Sequence, residues 1–107
     1  MRKVLILPVA TMVVLALAMV GIASGGNRTV KADDFDFEPG RVTIDVGDKV
    51  TWKNVEGRHT VTLRNGTYDK VIDGDDKVSR KFSRAGTYRY YCRFHTAEGM
   101  RGKVIVE

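Results

Sequence analysis

Gly86-Thr87-Tyr88-Arg89-Tyr90-Tyr91-Cys92 reads as a strand, and Arg93-Phe94-His95-Thr96-Ala97-Glu98-Gly99-Met100 as the loop that leaves it. Aromatic side chains suit a pleated, half-buried surface, and alternation puts Tyr88, Tyr90 and Cys92 on one face. The cysteine therefore points where the aromatic core points. Downstream of Met100, Arg101-Gly102-Lys103 leads into a closing strand, Val104-Ile105-Val106. The spacing is Cys-x2-His-x4-Met. One short loop pinned between two strands can bring Cys92, His95 and Met100 around a single point and hold them there.

Upstream, the chain continues as short strand-like runs bounded by Gly, Pro or Asp. They are Thr29–Phe37, Arg41–Val46, Lys49–Asn54, His59–Arg64, Thr67–Ile72 and Val78–Ser83, followed by Thr87–Cys92 and Lys103–Val106. Val42, Ile44 and Val46 share a face, as do Val50 and Trp52. Glu38-Pro39-Gly40 and Val46-Gly47-Asp48 carry turn chemistry, and Asn65-Gly66 is a strong hairpin signal because both residues tolerate positive φ. No stretch after the leader has helical period and length. Many short strands with frequent turns predict an all-β fold, a sandwich or small barrel.

The N-terminus is of another kind. Arg2 and Lys3 precede an apolar run, Val4 to Ala23, with Gly21 and Ala23 placed for a cut before Ser24. This is the pattern of an export signal. The run is also just long enough to span a bilayer, so a tether through residues 4–23 is the alternative to cleavage. Either way the domain is expected outside the cytoplasm, periplasmic or otherwise extracytoplasmic. The expected organisation is a signal or anchor at 1–23, a short linker at 24–28 and one domain at 29–107. Losing Arg2 and Lys3 lowers the formal charge of +5 by two. The remaining basic residues are scattered, which argues against a nucleic-acid partner, and a monomer is expected.

A single cysteine in an exported chain cannot form an internal disulfide,. It is a free thiol, an intermolecular link or a ligand. Taken singly, Cys92 reads as a small buried hydrophobe, His95 as a surface loop residue, Met100 as a core plug and His59 as a strand-edge histidine. Taken together they exhaust the cysteine and both histidines of the chain. A thiolate, two imidazoles and a weak axial thioether form the donor set of a blue-copper site.

Beyond that loop, Asp34-Phe35-Asp36-Phe37-Glu38-Pro39, Val46-Gly47-Asp48-Lys49-Val50-Thr51-Trp52-Lys53-Asn54, His59-Thr60-Val61 and Gly86 to Cys92 resemble the characteristic blocks of cupredoxins. The likeness covers about residues 29–107. The His95-to-Met100 gap is that of plastocyanins and pseudoazurins, whereas the short stretch between His59 and Cys92 looks more like amicyanin. The resemblance implies a Greek-key β-sandwich of about seven to eight strands. It also implies one type 1 copper ion held by His59, Cys92, His95 and Met100. Two positions depart from the family pattern. Thr60 stands where many plastocyanins have Asn, and Arg58 adds a charge beside His59, which is expected to raise the reduction potential. Asn54 is expected to tie the two ligand-bearing loops together by hydrogen bonds.

The implied function is a mobile or tethered electron carrier, not an enzyme. Redox partners would dock near His95, with Phe94, Ala97 and Met100 around it. Arg58, Arg93 and Arg101 flank ligand positions, so a negatively charged partner rim is expected. With two histidines the chain cannot build a multicopper catalytic centre, and Gly-x-Ser-x-Gly is absent. The rival readings are a copper-sequestering or copper-delivery protein of the same fold and a metal-free adhesive sandwich.

Overall fold

The computed structural model describes residues 26–107. The leader reading at 1–23 and the start of the linker lie outside the described residues. Nine strands follow in order: β1 Arg28–Asp33, β2 Asp36–Glu38, β3 Arg41–Ile44, β4 Lys49–Asn54, β5 His59–Leu63, β6 Asp69–Ile72, β7 Lys77–Lys81, β8 Gly86–Tyr91 and β9 Arg101–Val106. They form two sheets, a five-stranded one ordered β3-β9-β8-β5-β6 and a four-stranded one ordered β2-β1-β4-β7. There is no helix among the described residues. The all-β sandwich expected from the sequence is the fold observed.

The first expected strand, Thr29–Phe37, is two antiparallel strands, with Ala32 opposite Phe37 and Asp33 opposite Asp36. Parity explains the break. Val30 and Ala32 point into the core, and one continuous strand would send Phe37 to solvent. The Asp34-Phe35 turn flips the phase, and Phe37 is buried. Val46 also departs from expectation. β3 ends at Ile44, and Val46 is half exposed instead of sharing the face of Val42 and Ile44. The Asn65-Gly66 hairpin forms as expected. Gly66 has φ +79°, and the backbone N–H of Leu63 donates to the Tyr68 carbonyl at 2.9 Å.

The two sheets close over Val30, Phe37, Val50, Trp52, Phe82, Tyr90 and Val104, among others. Trp52 and Phe37 each meet Tyr90 edge-on, with centroids 5.2 and 4.9 Å apart. Offset or T-shaped packing is the arrangement that ring quadrupoles favour. Two parallel pairings, β1 with β4 and β9 with β3, join distant parts of the chain. The antiparallel pairing of β8 with β9 fixes the loop that carries Cys92, His95 and Met100, because β8 enters it and β9 leaves it as hydrogen-bonded neighbours.

Candidate metal centre

β5 and the β8–β9 loop meet at one end of the sandwich. Every residue of β5 is buried, and its first residue, His59, is fully enclosed. Cys92 follows directly on β8 and is also fully enclosed. The loop beyond it is folded back on itself. Cys92 N–H donates to the Met100 carbonyl at 3.0 Å, and His95 N–H to the Cys92 carbonyl at 3.3 Å. The Met100 N–H donates to the His95 carbonyl at 3.3 Å. These bonds bring both ends of the loop together, and Met100 is buried beneath it.

Single potential ligand atoms of His59, Cys92 and His95 all lie within 4.8 Å of one another. Nδ1 of His59 is 3.9 Å from Sγ of Cys92. The tautomers follow from the backbone. Nε2 of His59 is 2.7 Å from the Glu56 carbonyl, and Nε2 of His95 is 3.1 Å from the Arg58 carbonyl. A carbonyl only accepts, so each Nε2 carries its proton and each Nδ1 keeps a free lone pair. The carbonyls on either side of Gly57 therefore orient both rings. Gly57 has φ +85°, and a Cβ there would run into the Asp34 carboxylate and crowd Nε2 of His59. Only glycine suits that backbone and that gap.

The sequence reading of Thr60 and Asn54 changes here. Asn54 donates from Nδ2 to the carbonyls of Gly57, at 2.8 Å, and Gly74, at 3.1 Å. It ties the loop before β5 to the loop before β7 and does not reach the Cys92 loop. Thr60 makes that link. Its N–H donates to Cys92 Sγ at 3.3 Å, and its Oγ1 accepts from the Arg93 N–H at 2.7 Å. A short polar residue directly after His59 was the available signal. The backbone half of its role is blind to side-chain identity, which is why motif reading passes over it.

Two other neighbours were not singled out. Phe35, an exposed residue of the β1–β2 turn, packs against the His95 ring with centroids 4.8 Å apart. Asp34 places Oδ1 3.3 Å from Nε2 of His59. Asp34 belongs to an acidic group with Asp33 and Glu56. A hydrogen bond to Asp33, then the charges of Asp33 and Asp34, push the Glu56 carboxyl above its ordinary range,.

Around His95 the exposed rim is apolar at Phe35 and Phe94. Arg58 and Arg93 lie over the Phe94 ring, 4.7 and 5.5 Å from its centroid. Both arginines are also paired, Arg58 with Asp73 at 3.5 Å and Arg93 with Asp69 at 3.0 and 3.1 Å. Hydrogen bonds from Arg93 and Thr62 hold the Asp69 carboxyl below its usual range. The positive charge expected beside His59 is thus offset by Asp73, and the His59 ring itself meets the Asp34 carboxylate.

A buried thiol and two imidazoles with Nδ1 lone pairs, on a loop that ends at the buried thioether residue Met100, match a soft to borderline metal such as copper,. The family model for copper binding proteins of the plastocyanin/azurin family matches residues 25–107. A chloroplastic plastocyanin of Tetradesmus obliquus is 34% identical over 100 residues, covering 79% of this chain and 69% of its own. Amicyanin-alpha of Methylorubrum extorquens is 36% identical over 99 residues, covering 86% of this chain and 82% of its own. Among solved structures, a reduced amicyanin variant superposes with a TM-score of 0.67 at 34% identity, covering 80% of this chain and 86% of that one. The chain belongs to the plastocyanin/azurin family of copper-binding proteins.

Proposed function

We propose that the protein is a one-electron carrier whose copper site is built from His59, Cys92, His95 and Met100. The observation that carries this reading is the convergence of His59, Cys92 and His95 within 4.8 Å, with both Nε2–H groups committed to backbone carbonyls. A copper ion bound there would supply the Cu(I)/Cu(II) couple.

The chain's own contribution is a rigid frame. Thr60 fixes the sulfur by an N–H···S bond, and the carbonyls of Glu56 and Arg58 fix the two rings. Donors already held in place have little to rearrange when charge changes. Burial of His59, Cys92 and Met100 keeps water from the sulfur, and the apolarity and hydrogen bonding around that sulfur tune the potential. His95 is the candidate ligand nearest solvent, its side chain 20% exposed. A redox partner would approach there, over the apolar rim of Phe35 and Phe94. The domain works outside the cytoplasm, either released after residue 23 or tethered through residues 4–23. Met100 is the one methionine of residues 26–107 and is buried, so the described residues lack the open Met-rich loop of a copper-delivery protein.

Titration of the metal-free protein with Cu(II), followed in the visible range, is the test. One equivalent should give an intense blue thiolate-to-copper absorption that bleaches on reduction and returns on oxidation. Weak colour with labile copper would favour delivery, and no binding would remove the metal function altogether.

A further inference from the structure

The unpaired positive charge of this domain is not around His95. One continuous stretch of it lies on the outer face of the five-stranded sheet, while the four-stranded sheet carries lysines of its own, Lys49 opposite Lys81 and Lys53 opposite Lys77. Lys103 on β9 sits directly opposite Arg41 on β3 and directly opposite Arg89 on β8. Alternation sends all three to solvent, the inward neighbours Val42, Tyr90 and Val104 being buried,. Arg101, two residues before Lys103, faces Tyr91 across the same ladder. Arg64 completes the row from the other side. Its N–H bonds the Arg89 carbonyl at 2.9 Å, and its guanidinium lies 4.3 Å from the Tyr91 ring centroid.

Like charges directly opposite one another in a sheet cost stability. None of these five cations has an ion-pair partner among the described residues. Asp69, on β6 of the same sheet, is already taken by Arg93 and Thr62. A depression of about 300 Å³ opens among Arg64, Arg89, Arg101 and Lys103, and no carboxylate lines it. A smaller one, of about 70 Å³, is bounded by Arg64, Tyr91, Met100 and Arg101, so the basic face runs continuously up to the Cys92–Met100 loop.

We propose that this sheet face docks an acidic surface of a protein partner, and that it, rather than the arginines beside His95, supplies the electrostatic part of partner recognition. The proposal rests on the electron-carrier reading for the identity of the partner as a redox protein. Charge complementarity selects the occupant. The cations stand in a row across adjacent strands, roughly 4.8 Å apart per strand, a spacing that side-by-side carboxylates on a folded surface can meet. Beside the cations, β8 and β9 present Tyr91 and Ile105 on this face, both only partly exposed, so these strands offer no fully exposed apolar group to enter a lipid bilayer. The paired Arg58 and Arg93 leave the rim around His95 close to neutral, free for apolar contact.

The test uses poly-L-glutamate as probe and the double variant Arg89→Glu with Lys103→Glu. At low ionic strength, amide resonance shifts in the native protein should centre on residues 41, 64, 89, 101 and 103, and binding should weaken as salt is added. The double variant should bind roughly tenfold more weakly or worse, while Arg58→Glu stays within about twofold. Near-ultraviolet circular dichroism confirms that both variants are folded. Shifts centred on residues 93–98, or binding lost in Arg58→Glu and kept in the double variant, would overturn the proposal. So would phosphatidylglycerol vesicles binding through the same residues when poly-L-glutamate does not, or self-association that the double variant abolishes. Copper colour is read on the same samples. Absence of blue absorption in every sample with intact peptide binding would sink the electron-carrier reading and leave the docking face standing.

Discussion

Asp34 holds a carboxylate oxygen 3.3 Å from Nε2 of His59, on a ring nitrogen that also lies 2.7 Å from the Glu56 carbonyl. A negative charge at that place favours the more highly charged metal state. Asp34→Asn keeps the shape and removes the charge. It should leave the blue absorption in place and raise the reduction potential by an amount on the order of 50 mV, given an effective dielectric of roughly 20 and partial screening. Voltammetry of the native and variant proteins checks it. An unchanged or lower potential would show that solvent cancels the carboxylate.

Thr60 is the link between the two ligand-bearing segments. Thr60→Val retains the N–H that reaches Cys92 Sγ but removes the acceptor of the Arg93 N–H and the contact with Thr62 Oγ1 at 2.9 Å. An unsatisfied buried donor costs about 1–3 kcal/mol. Urea unfolding should show that loss for Thr60→Val and most of it recovered in Thr60→Ser. Equal midpoints for native and valine proteins would mean that water replaces the hydroxyl.

Cys92→Ala should abolish the blue absorption. Thermal unfolding should then no longer respond to added copper. In the native protein copper at about 100 times its dissociation constant would add about 2.7 kcal/mol by mass action. A visible spectrum that survives the substitution would refute the ligand assignment.

Asp69 gives an acid-side prediction. Its folded carboxyl titrates below the ordinary carboxylate range, first because of Arg93 and then because of Thr62. The stability it contributes is present above the unfolded value, roughly pH 4, and is lost as pH falls through the lower folded value. The pair is largely exposed, so its worth is about 1 kcal/mol or less. Asp69→Asn should lower stability at pH 7 by that amount and converge with the native protein at the lowest pH. Parallel curves throughout would assign the pair no role.

Tyr90 gives the alkaline counterpart. Burial pushes its hydroxyl up to about 12, against a smaller opposing effect of Trp52. Neither Tyr90 Oη nor Trp52 Nε1 has a partner in good hydrogen-bond geometry. The raised value means that the stability is full below the unfolded value, roughly pH 10, and declines as pH rises toward the folded one. Tyr90→Phe should be close to neutral at pH 7 and should flatten the decline between those values. The check is denaturant unfolding across that range.

Much of this molecule can be read from local pattern. Alternation located most strands, and Cys92, His95 and Met100 could be grouped because one short loop carries them. His59 entered as the other histidine of the chain and through its place in the His59-Thr60-Val61 block. What stayed hidden depends on contacts between distant segments or on backbone atoms. The parity change between Ala32 and Phe37 was present in the sequence, but its meaning required knowing which face was inside. Phe35 against His95 joins residues far apart in the chain, and no periodicity announces it. The ring tautomers rest on the carbonyls of Glu56 and Arg58, which any residue could supply. Two of the three arginines expected around the site, Arg58 and Arg93, are paired, because Asp73 and Asp69 reach them once β6 is in place.

The position of β9 within its sheet has a further consequence. That strand lies between β3 and β8, so the residues that follow Met100 bridge the early and late parts of the chain. Without them, β8 and the thiol at position 92 are held on one side only, by β5 and the imidazole-bearing segment at 59. Frame and metal pocket are thus closed by the same strand. A chain interrupted short of its last dozen residues would carry His59, Cys92 and His95 but neither Met100 nor the strand that anchors the far end of their loop.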